Sequence, residues 1–139
     1  FNLYGLGQKK DFVISKFAEN IKNNKTIKVY GDGQQIRSYC HVDDAVDAIT
    51  KILEKGQDNT IYNVGNNNEP ISVIDLAKKM VNISQKNIKI EKIPFEKSDR
   101  DSQREIYRRE PSIEKLTKHT KYAPKIKLDV GIKDVLSEV

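Results

Sequence analysis

The chain has 139 residues, a length that suits one domain and allows a hydrophobic core without disulfide bridges. The 25 Lys and Arg residues outnumber the 20 Asp and Glu residues and give a net charge of +5, but they are scattered through every segment, which disfavours a nucleic-acid-binding module. A single cysteine excludes an intrachain disulfide and no apolar run is long enough to cross a bilayer, so the composition predicts a cytoplasmic protein with no membrane contact.

The N-terminal segment reads as the end of a strand followed by a helix. Residues 1–5 are apolar and lead directly into a glycine turn, without a polar lead-in, so we expect them to continue a strand that begins upstream. Apolar side chains then recur at helical spacing at Val13, Ile14, Phe17 and Ile21.

The stretch VYGDGQQIRSYCHVDD, residues 29–44, concentrates polar side chains just ahead of a helix. Residues 27–30 alternate like a strand, the glycines at 31 and 33 indicate a turn, and residues 36–41 return as a second strand. The pattern therefore predicts a binding hairpin with the start of a helix attached to it.

The next helix shows the cleanest amphipathic pattern of the chain. Two carboxylates, Asp43 and Asp44, occupy its first turn, where they interact favourably with the helix dipole, so a structural role is expected for at least one of them. Its predicted core stripe consists of Ala45, Ala48, Ile49, Ile52 and Leu53.

The second half of the chain continues the alternation of strands and helices. The predicted elements are a strand at 60–65, a helix capped by Ser72, an extended segment at 88–93, a polar surface loop at 95–110, a short helix around Ile113 and Leu116, and a terminal helix from Leu128 to Val139. The fold class is therefore α/β. Because the strands are few and short, we expect some of them, the strand at 60–65 included, to complete a sheet supplied by residues outside this chain.

Arg37 is the first candidate for a binding residue. It follows a Gly-x-Gly turn, and its guanidinium group offers a planar fork of donors that suits phosphate or carboxylate. The alternative is a surface arginine beside Asp32 or Asp43. The neighbouring Cys40 and His41 do not form a nucleophile and base, because adjacent strand residues point to opposite faces.

The other polar motifs give weaker signals. Neither Gly-x-Gly turn has the third glycine of a dinucleotide fingerprint. Two histidines without a Cys-x-x-Cys or His-x-x-x-His spacing do not indicate a metal site. The charged stretch at 99–111 is either a solvated loop, which its composition favours, or an anion clamp that uses Arg108 and Arg109.

Four motifs occur together and in order: FNLYG at 1–5, IKVYGDGQQIRSYCHVDDAVDAI at 27–49, IYNVGNNNEPISVIDLAKKM at 61–80 and RREPSIEKL at 108–116. Together they resemble the C-terminal half of the extended short-chain dehydrogenases/reductases, and more narrowly the NAD-dependent nucleotide-sugar epimerases and dehydratases. The resemblance implies that residues 1–139 are the C-terminal substrate-binding part of a Rossmann-type epimerase. The chain departs from the family's usual motifs at Leu6 and Ser112, where the family has proline and aspartate.

The upstream features of that family have no counterpart here. The chain contains neither the glycine-rich NAD fingerprint nor the Tyr-x-x-x-Lys catalytic pair. The resemblance therefore implies that NAD and the catalytic pair belong to a missing N-terminal half, its expected partner. Alone, the chain is predicted neither to bind NAD tightly nor to turn over substrate, and no catalytic residue is assigned to it.

By the same resemblance, the chain retains a nucleotide-sugar clamp, with a UDP-sugar as the expected ligand. Asn2 would reach the phosphate or the sugar, Tyr30 and the backbone around Val29 would line the base, and Gln35 would contact the ribose.

Arg37 and Arg109 would hold the diphosphate from opposite sides. His41 is expected to pack under the loop and Asp44 to cap the helix. The function implied is that of a UDP-sugar 4-epimerase. A decarboxylase or dehydratase of the same family, or a non-catalytic sugar-nucleotide-binding module, is the alternative.

Overall fold

The computed structural model describes residues 1–94 and 106–137. Within these ranges the chain forms five helices and seven short strands, which confirms the predicted α/β class. The helices are α1 (Val13–Lys22), α2 (Val42–Lys55), α3 (Val73–Ser84), α4 (Glu114–Thr120) and α5 (Leu128–Ser137). The strands are β1 (Leu3–Tyr4), β2 (Ile27–Tyr30), β3 (Ile36–Arg37), β4 (Cys40–His41), β5 (Ile71–Ser72), β6 (Ile90–Ile93) and β7 (Arg108–Arg109).

The strands described lie in three small sheets. β2 and β6 are parallel, with Ile27 opposite Ile90 and Tyr30 opposite Ile93. β3 lies between antiparallel β5 and parallel β7, and β1 is parallel to β4. Sheets of two or three very short strands are not stable by themselves, so packing against the helices holds them in place.

The predicted hairpin between residues 27–30 and 36–41 is wrong. The Gly31-Asp32-Gly33 turn forms, with both glycines at positive φ, but it does not bring the two segments together. Gly33 lies so close to α3 that an added Cβ would come within 2.7 Å of Val29 and 2.8 Å of Ile74. This packing directs the chain toward α3, so β2 pairs with β6 and the second segment divides into β3 and β4.

The larger of the two hydrophobic clusters lies between α1, α3, α5 and β2. Its helix members recur at helical spacing along each helix and include Ile14, Phe17, Ile21, Leu76, Ala77, Met80, Leu128, Ile132 and Val135. The predicted cap of α3 is confirmed, because the Ser72 hydroxyl accepts the Asp75 N–H at 3.1 Å and donates to the Asp75 carboxylate at 2.7 Å.

The start of α2 differs from the expectation in one residue. His41 is the N-cap, and its Nδ1 accepts the N–H of Asp43 at 3.3 Å. Asp44, expected to cap this helix, instead accepts the backbone N–H groups of Lys125 and Ile126, both at 3.0 Å. Its side chain points to the buried side of α2, where these two N–H groups need an acceptor. Asp44 therefore joins α2 to the segment before α5.

The smaller hydrophobic cluster joins α2 to α4. It consists of Ala48, Ile113, Leu116 and Tyr122, with Ile52, Tyr62 and Val64 packed against it. The prediction that α2 also buries Ile49 and Leu53 is wrong, since their side chains are 51% and 83% exposed. α4 contacts the side of α2 that carries Ala48, whereas the neighbouring side with Ile49 and Leu53 is largely exposed to solvent.

Residues 60–65 form no hydrogen-bonded ladder with any described segment. The carbonyl groups of Ile61, Val64 and Gly65 accept hydrogen bonds from Lys115 Nζ at 3.3 Å, the N-terminal ammonium group at 2.9 Å and the Tyr122 hydroxyl at 3.2 Å. That residues 60–65 are a strand of a sheet outside this chain stays a prediction. The predicted loop at 95–110 lies outside the described residues up to 105, and its last part contains β7. Val139 also lies outside the described residues.

In the part of the chain that the structure describes, no helix is both long enough and apolar enough to cross a bilayer.

Candidate functional site

Five of the six predicted binding residues line one cavity of about 230 Å³. They are Asn2, Val29, Tyr30, Gln35 and Arg37. The sixth, Arg109, lines an adjoining cavity of about 260 Å³, and the two cavities share Asn2, Phe12, Val13 and Tyr39 in their walls. The fold thus gathers residues from four segments of the chain at one place, while their contacts with a ligand stay a prediction.

Arg37 and Arg109 lie next to each other on parallel strands. Arg37 of β3 is the register partner of Arg109 of β7. Partners in a parallel pair lie about 4.8 Å apart and direct their side chains to the same face. The expectation that the two arginines approach a ligand from opposite sides is therefore wrong. They are neighbours on one face of the sheet.

Asp32 and Asp43, the two carboxylates considered as partners of Arg37, each have another contact. Asp32 accepts a backbone N–H within its own turn at 2.9 Å, and the Asp43 carboxylate lies 3.6 Å from His41 Nδ1. Arg37 is half-buried, and its Nη1 donates to the carbonyl of Ile36 at 2.8 Å. That bond fixes the plane of the guanidinium group close to the strand.

Asn2 connects the two cavities. Its backbone has a positive φ of 37°, which asparagine adopts more readily than other residues with a side chain. Its Nδ2 donates to the carbonyl of Ser38 at 3.0 Å, so the side chain joins the start of β1 to the segment between β3 and β4. The Asn2 side chain lines both cavities.

The remaining predicted residues form the floor of the cavity of about 230 Å³. Val29 and Gln35 are buried, and Tyr30 is half-buried. One edge of β2 is occupied by β6, and the Gln35 carbonyl accepts the Val73 N–H at 3.1 Å. The backbone of this floor is therefore held rigidly, and its side chains supply a mixed apolar and amide surface.

The electrostatic character of the cavity of about 230 Å³ favours an anion. Lys16, Lys28 and Arg37 line it together with one carboxylate, Asp11. Neither lysine forms an ion pair with any residue that the structure describes. Three cations against one anion at a concave surface attract negatively charged ligands.

Sequence reasoning did not identify several residues of the walls. Phe12, exposed just before α1, and Tyr39, buried between β3 and β4, contribute to both cavities. Phe12 had a usable signal, since it is an aromatic residue that directly follows a polar run and precedes a helix. Tyr39 had none, because its neighbours on the wall come from distant segments.

Cys40 and His41 face different groups, as expected. Cys40 Sγ lies 4.0 Å from the Tyr122 hydroxyl, whereas the His41 ring packs edge-on against Tyr4 with centroids 5.3 Å apart. Burial raises the pKa of the Cys40 thiol, which keeps it protonated and unreactive. Burial likewise raises the pKa values of Tyr4 and Tyr122.

Comparison with known proteins explains this arrangement. Residues 1–65 match the family model described as the NAD dependent epimerase/dehydratase family. A UDP-N-acetyl-alpha-D-glucosaminuronate decarboxylase from Bacillus cytotoxicus is 30% identical over 98% of this chain, which covers 43% of that protein. The chain belongs to the NAD-dependent epimerase/dehydratase family. The predicted resemblance is confirmed.

Other members of the family share the same fold. A dTDP-D-glucose 4,6-dehydratase from Dictyostelium discoideum is 42% identical over 83 residues, 60% of this chain and 19% of that protein. The solved structure of a UDP-glucose 4-epimerase from Thermotoga maritima with UDP-glucose superposes with a TM-score of 0.82 at 26% identity, over 98% of this chain and 42% of the other. The Rossmann-type fold class is thus confirmed. The chain spans less than half the length of each of these proteins.

Two glycines of the turns lie against other parts of the protein. A Cβ on Gly5 would lie 2.6 Å from Val42 and a Cβ on Gly33 would lie 2.8 Å from Ile74, whereas a Cβ on Gly7 would meet nothing within 4 Å. Phosphate-binding glycine loops leave space for the ligand to approach the backbone, so Gly5 and Gly33 are not placed for that role. Their close approaches serve the packing of α2 and α3.

Proposed function

We propose that this chain is the nucleotide-sugar-binding part of an NAD-dependent epimerase/dehydratase-family enzyme. The observation that carries the proposal is the in-register pair of Arg37 and Arg109 beside the cavity formed by Asn2, Tyr30 and Gln35. Two neighbouring guanidinium groups present parallel sets of donors, which match the oxygen atoms of a diphosphate. A UDP-sugar is the proposed ligand, because two of the three similar proteins carry UDP in their names.

In this proposal each group of residues has a separate task. The arginine pair and the nearby lysines hold the diphosphate and fix its position. The floor of Val29, Tyr30 and Gln35 contacts the base and ribose through apolar walls and one amide. Holding both ends of the nucleotide fixes the sugar relative to the reacting groups. Those groups lie outside this chain in the proposal.

The reaction of the complete enzyme is proposed to be a UDP-sugar 4-epimerisation. NAD, bound by the part of the enzyme that this chain does not include, accepts and returns a hydride. A UDP-sugar decarboxylase is the second candidate, favoured by the match of the Bacillus cytotoxicus enzyme to 98% of this chain. In both cases the contribution of this chain is binding and positioning.

Calorimetric titration of the purified chain with UDP-glucose and UDP-glucuronate tests the proposal. We expect Arg37→Ala and Arg109→Ala each to weaken binding by about 10- to 100-fold, since a hydrogen bond to a charged group is worth roughly 1.5–3 kcal/mol. We expect no NAD reduction by the chain alone in the same samples.

Arg108→Ala is the matched control. Arg108 adjoins Arg109 on β7 but faces the other side of the strand, where its Nη2 lies 2.9 Å from Glu110 Oε1 without pointing directly at it. Its removal is expected to change the affinity less than threefold. Binding that is equally sensitive to all three substitutions, or no binding by the unsubstituted chain, contradicts the proposal.

A further inference from the structure

Gly131 lies inside α5, on the buried side of that helix. Glycine inside a helix is less favourable than alanine, because it loses more backbone freedom on folding. The packing of α5 supplies a reason for glycine at this position. A Cβ on Gly131 would lie 2.8 Å from both Cε2 and Cζ of Tyr4, and still closer to the Tyr4 hydroxyl oxygen. The absence of a side chain at Gly131 therefore leaves the space that the Tyr4 ring occupies.

Tyr4 is part of the candidate binding site. Its side chain is buried, and it lines the cavity of about 260 Å³ together with Asn2 and Arg109. The Tyr4 ring packs edge-on against the ring of Tyr39, with centroids 6.4 Å apart. Tyr39 lines this cavity and also the adjoining cavity of about 230 Å³. We call Tyr4 and Tyr39 the aromatic wall of the site.

The surroundings of Tyr4 transmit any shift of its ring. The ring also packs edge-on against His41, and Tyr4 is the register partner of His41 in the pair of β1 and β4. Protein interiors are close-packed, so a displaced side chain pushes its neighbours instead of filling a void. A shift of Tyr4 away from α5 is therefore passed on to Tyr39 and to β1. Asn2, the residue before β1, lines both cavities and moves with that strand.

We propose that Gly131 is a positioning residue of the candidate binding site. It is not among the residues that line the two cavities, but it allows α5 to hold the Tyr4 ring where the aromatic wall fits a nucleotide-sugar. The proposal rests on the proposed function, because the wall borders Arg109, which is assigned to the diphosphate. Hydrogen bonds weaken steeply when their geometry changes, so a small shift of the wall lowers the affinity for the ligand.

Calorimetric titration of the purified chain with UDP-glucose tests the proposal. Gly131→Ala is expected to weaken binding by about tenfold, because the added Cβ displaces Tyr4 and the aromatic wall. Tyr4→Phe removes the hydroxyl group, whose oxygen is the atom nearest to that Cβ. The double variant, Tyr4→Phe with Gly131→Ala, is therefore expected to bind at least about threefold more tightly than Gly131→Ala alone.

Val135→Ala is the matched control. Val135 lies one helical turn beyond Gly131 on α5, and its buried side chain belongs to the larger hydrophobic cluster. Its truncation destabilises the cluster, as the removal of buried methyl groups does, but places no new atom against Tyr4. Thermal denaturation is expected to show a loss of stability for both Val135→Ala and Gly131→Ala. Only Gly131→Ala is expected to weaken UDP-glucose binding by more than about threefold.

Nuclear magnetic resonance spectra of the ligand-free chain give a readout that does not depend on binding. The Asn2 side-chain amide donates to the Ser38 carbonyl at 3.0 Å, so its signal reports on the start of β1. We expect this signal and the backbone amide signal of Tyr39 to shift in Gly131→Ala. Both signals are expected to return toward their original positions in the double variant and to stay in place in Val135→Ala.

Three outcomes overturn the proposal. They are an affinity of Gly131→Ala within about threefold of the unsubstituted chain, equal weakening of binding by Val135→Ala, and a double variant that binds no more tightly than Gly131→Ala. If Gly131→Ala does not fold, the double variant decides, and its failure to fold also overturns the proposal. Absence of UDP-glucose binding by the unsubstituted chain contradicts the proposed function instead. The ligand-free spectra then decide the role of Gly131, and unchanged Asn2 and Tyr39 signals reject it.

Discussion

The two hydrophobic clusters of this molecule are built differently. The larger one is enclosed by α1, α3 and α5 together with β2, so its apolar side chains are covered on every side by this chain. The smaller one lies between α2 and α4, and the other face of α2 remains exposed. One half of the molecule therefore encloses its apolar side chains, while α2 leaves several of its own exposed. The candidate binding site lies against the larger cluster, which explains how it can be formed by this chain.

The comparison is tested most directly by two leucine substitutions. Leu76→Ala removes a fully buried side chain from the larger cluster and is expected to reduce the free energy of unfolding by about 2–5 kcal/mol. Leu53→Ala removes the same atoms from the exposed side of α2 and is expected to change the free energy of unfolding by less than about 0.5 kcal/mol. Urea denaturation of the isolated chain measures both. A large loss of unfolding free energy for Leu53→Ala would show that the Leu53 side chain is already covered in the isolated chain.

The next prediction concerns the contact that joins α2 to the segment before α5. The buried Asp44 carboxylate accepts two backbone N–H groups from residues 125 and 126, so Asp44→Asn replaces one acceptor by a donor and removes the charge. We expect a loss of roughly 1.5–3 kcal/mol in unfolding free energy, the usual range for a hydrogen bond to a charged group. Asp43→Asn, at an exposed position of the same helix turn, is the control, with an expected loss below about 1 kcal/mol. Similar losses for the two variants contradict the assignment.

The smallest effect is expected at the N-terminal cap of α3, a helix of the larger hydrophobic cluster. Ser72→Ala removes the hydroxyl that accepts the Asp75 N–H and is expected to cost about 1 kcal/mol. The Ser72 hydroxyl, followed by Lys78, lowers the pKa of the Asp75 carboxyl below its ordinary value of 3.8. Ionised Asp75 therefore stabilises the fold above pH 3.8, and this stability is lost as the pH falls through the lower folded pKa.

Denaturation between pH 2 and pH 7 is expected to show a weaker acid dependence for Ser72→Ala than for the unsubstituted chain, because the folded and unfolded pKa values of Asp75 come closer together. An unchanged acid dependence shows that Lys78 alone lowers the pKa. Asp75 is largely solvent-exposed, so we expect the difference to shrink at high salt.

The residues of the candidate site were predicted from the sequence, but their spatial arrangement was not. The six residues of the clamp were assigned through motifs, and the fold gathers them at two adjoining cavities. The relation between Arg37 and Arg109 was not predictable, since it depends on a parallel pairing between segments about seventy positions apart. Tyr39 was missed for the same reason. Short strands with little alternation do not specify a partner, and their pairing is decided by the helices packed around them.

The sequence by itself determined the helices of this protein, the cap at Ser72 and membership of the family, because helical periodicity, capping and ordered motifs act within a few neighbouring residues. Only the tertiary structure decided that β2 pairs with β6, that α2 leaves Ile49 and Leu53 outside, and that two arginines become neighbours. These outcomes depend on close contacts between distant segments, such as that of Gly33 with Ile74. A local pattern can show that a face is apolar, but what covers it is decided by the rest of the fold.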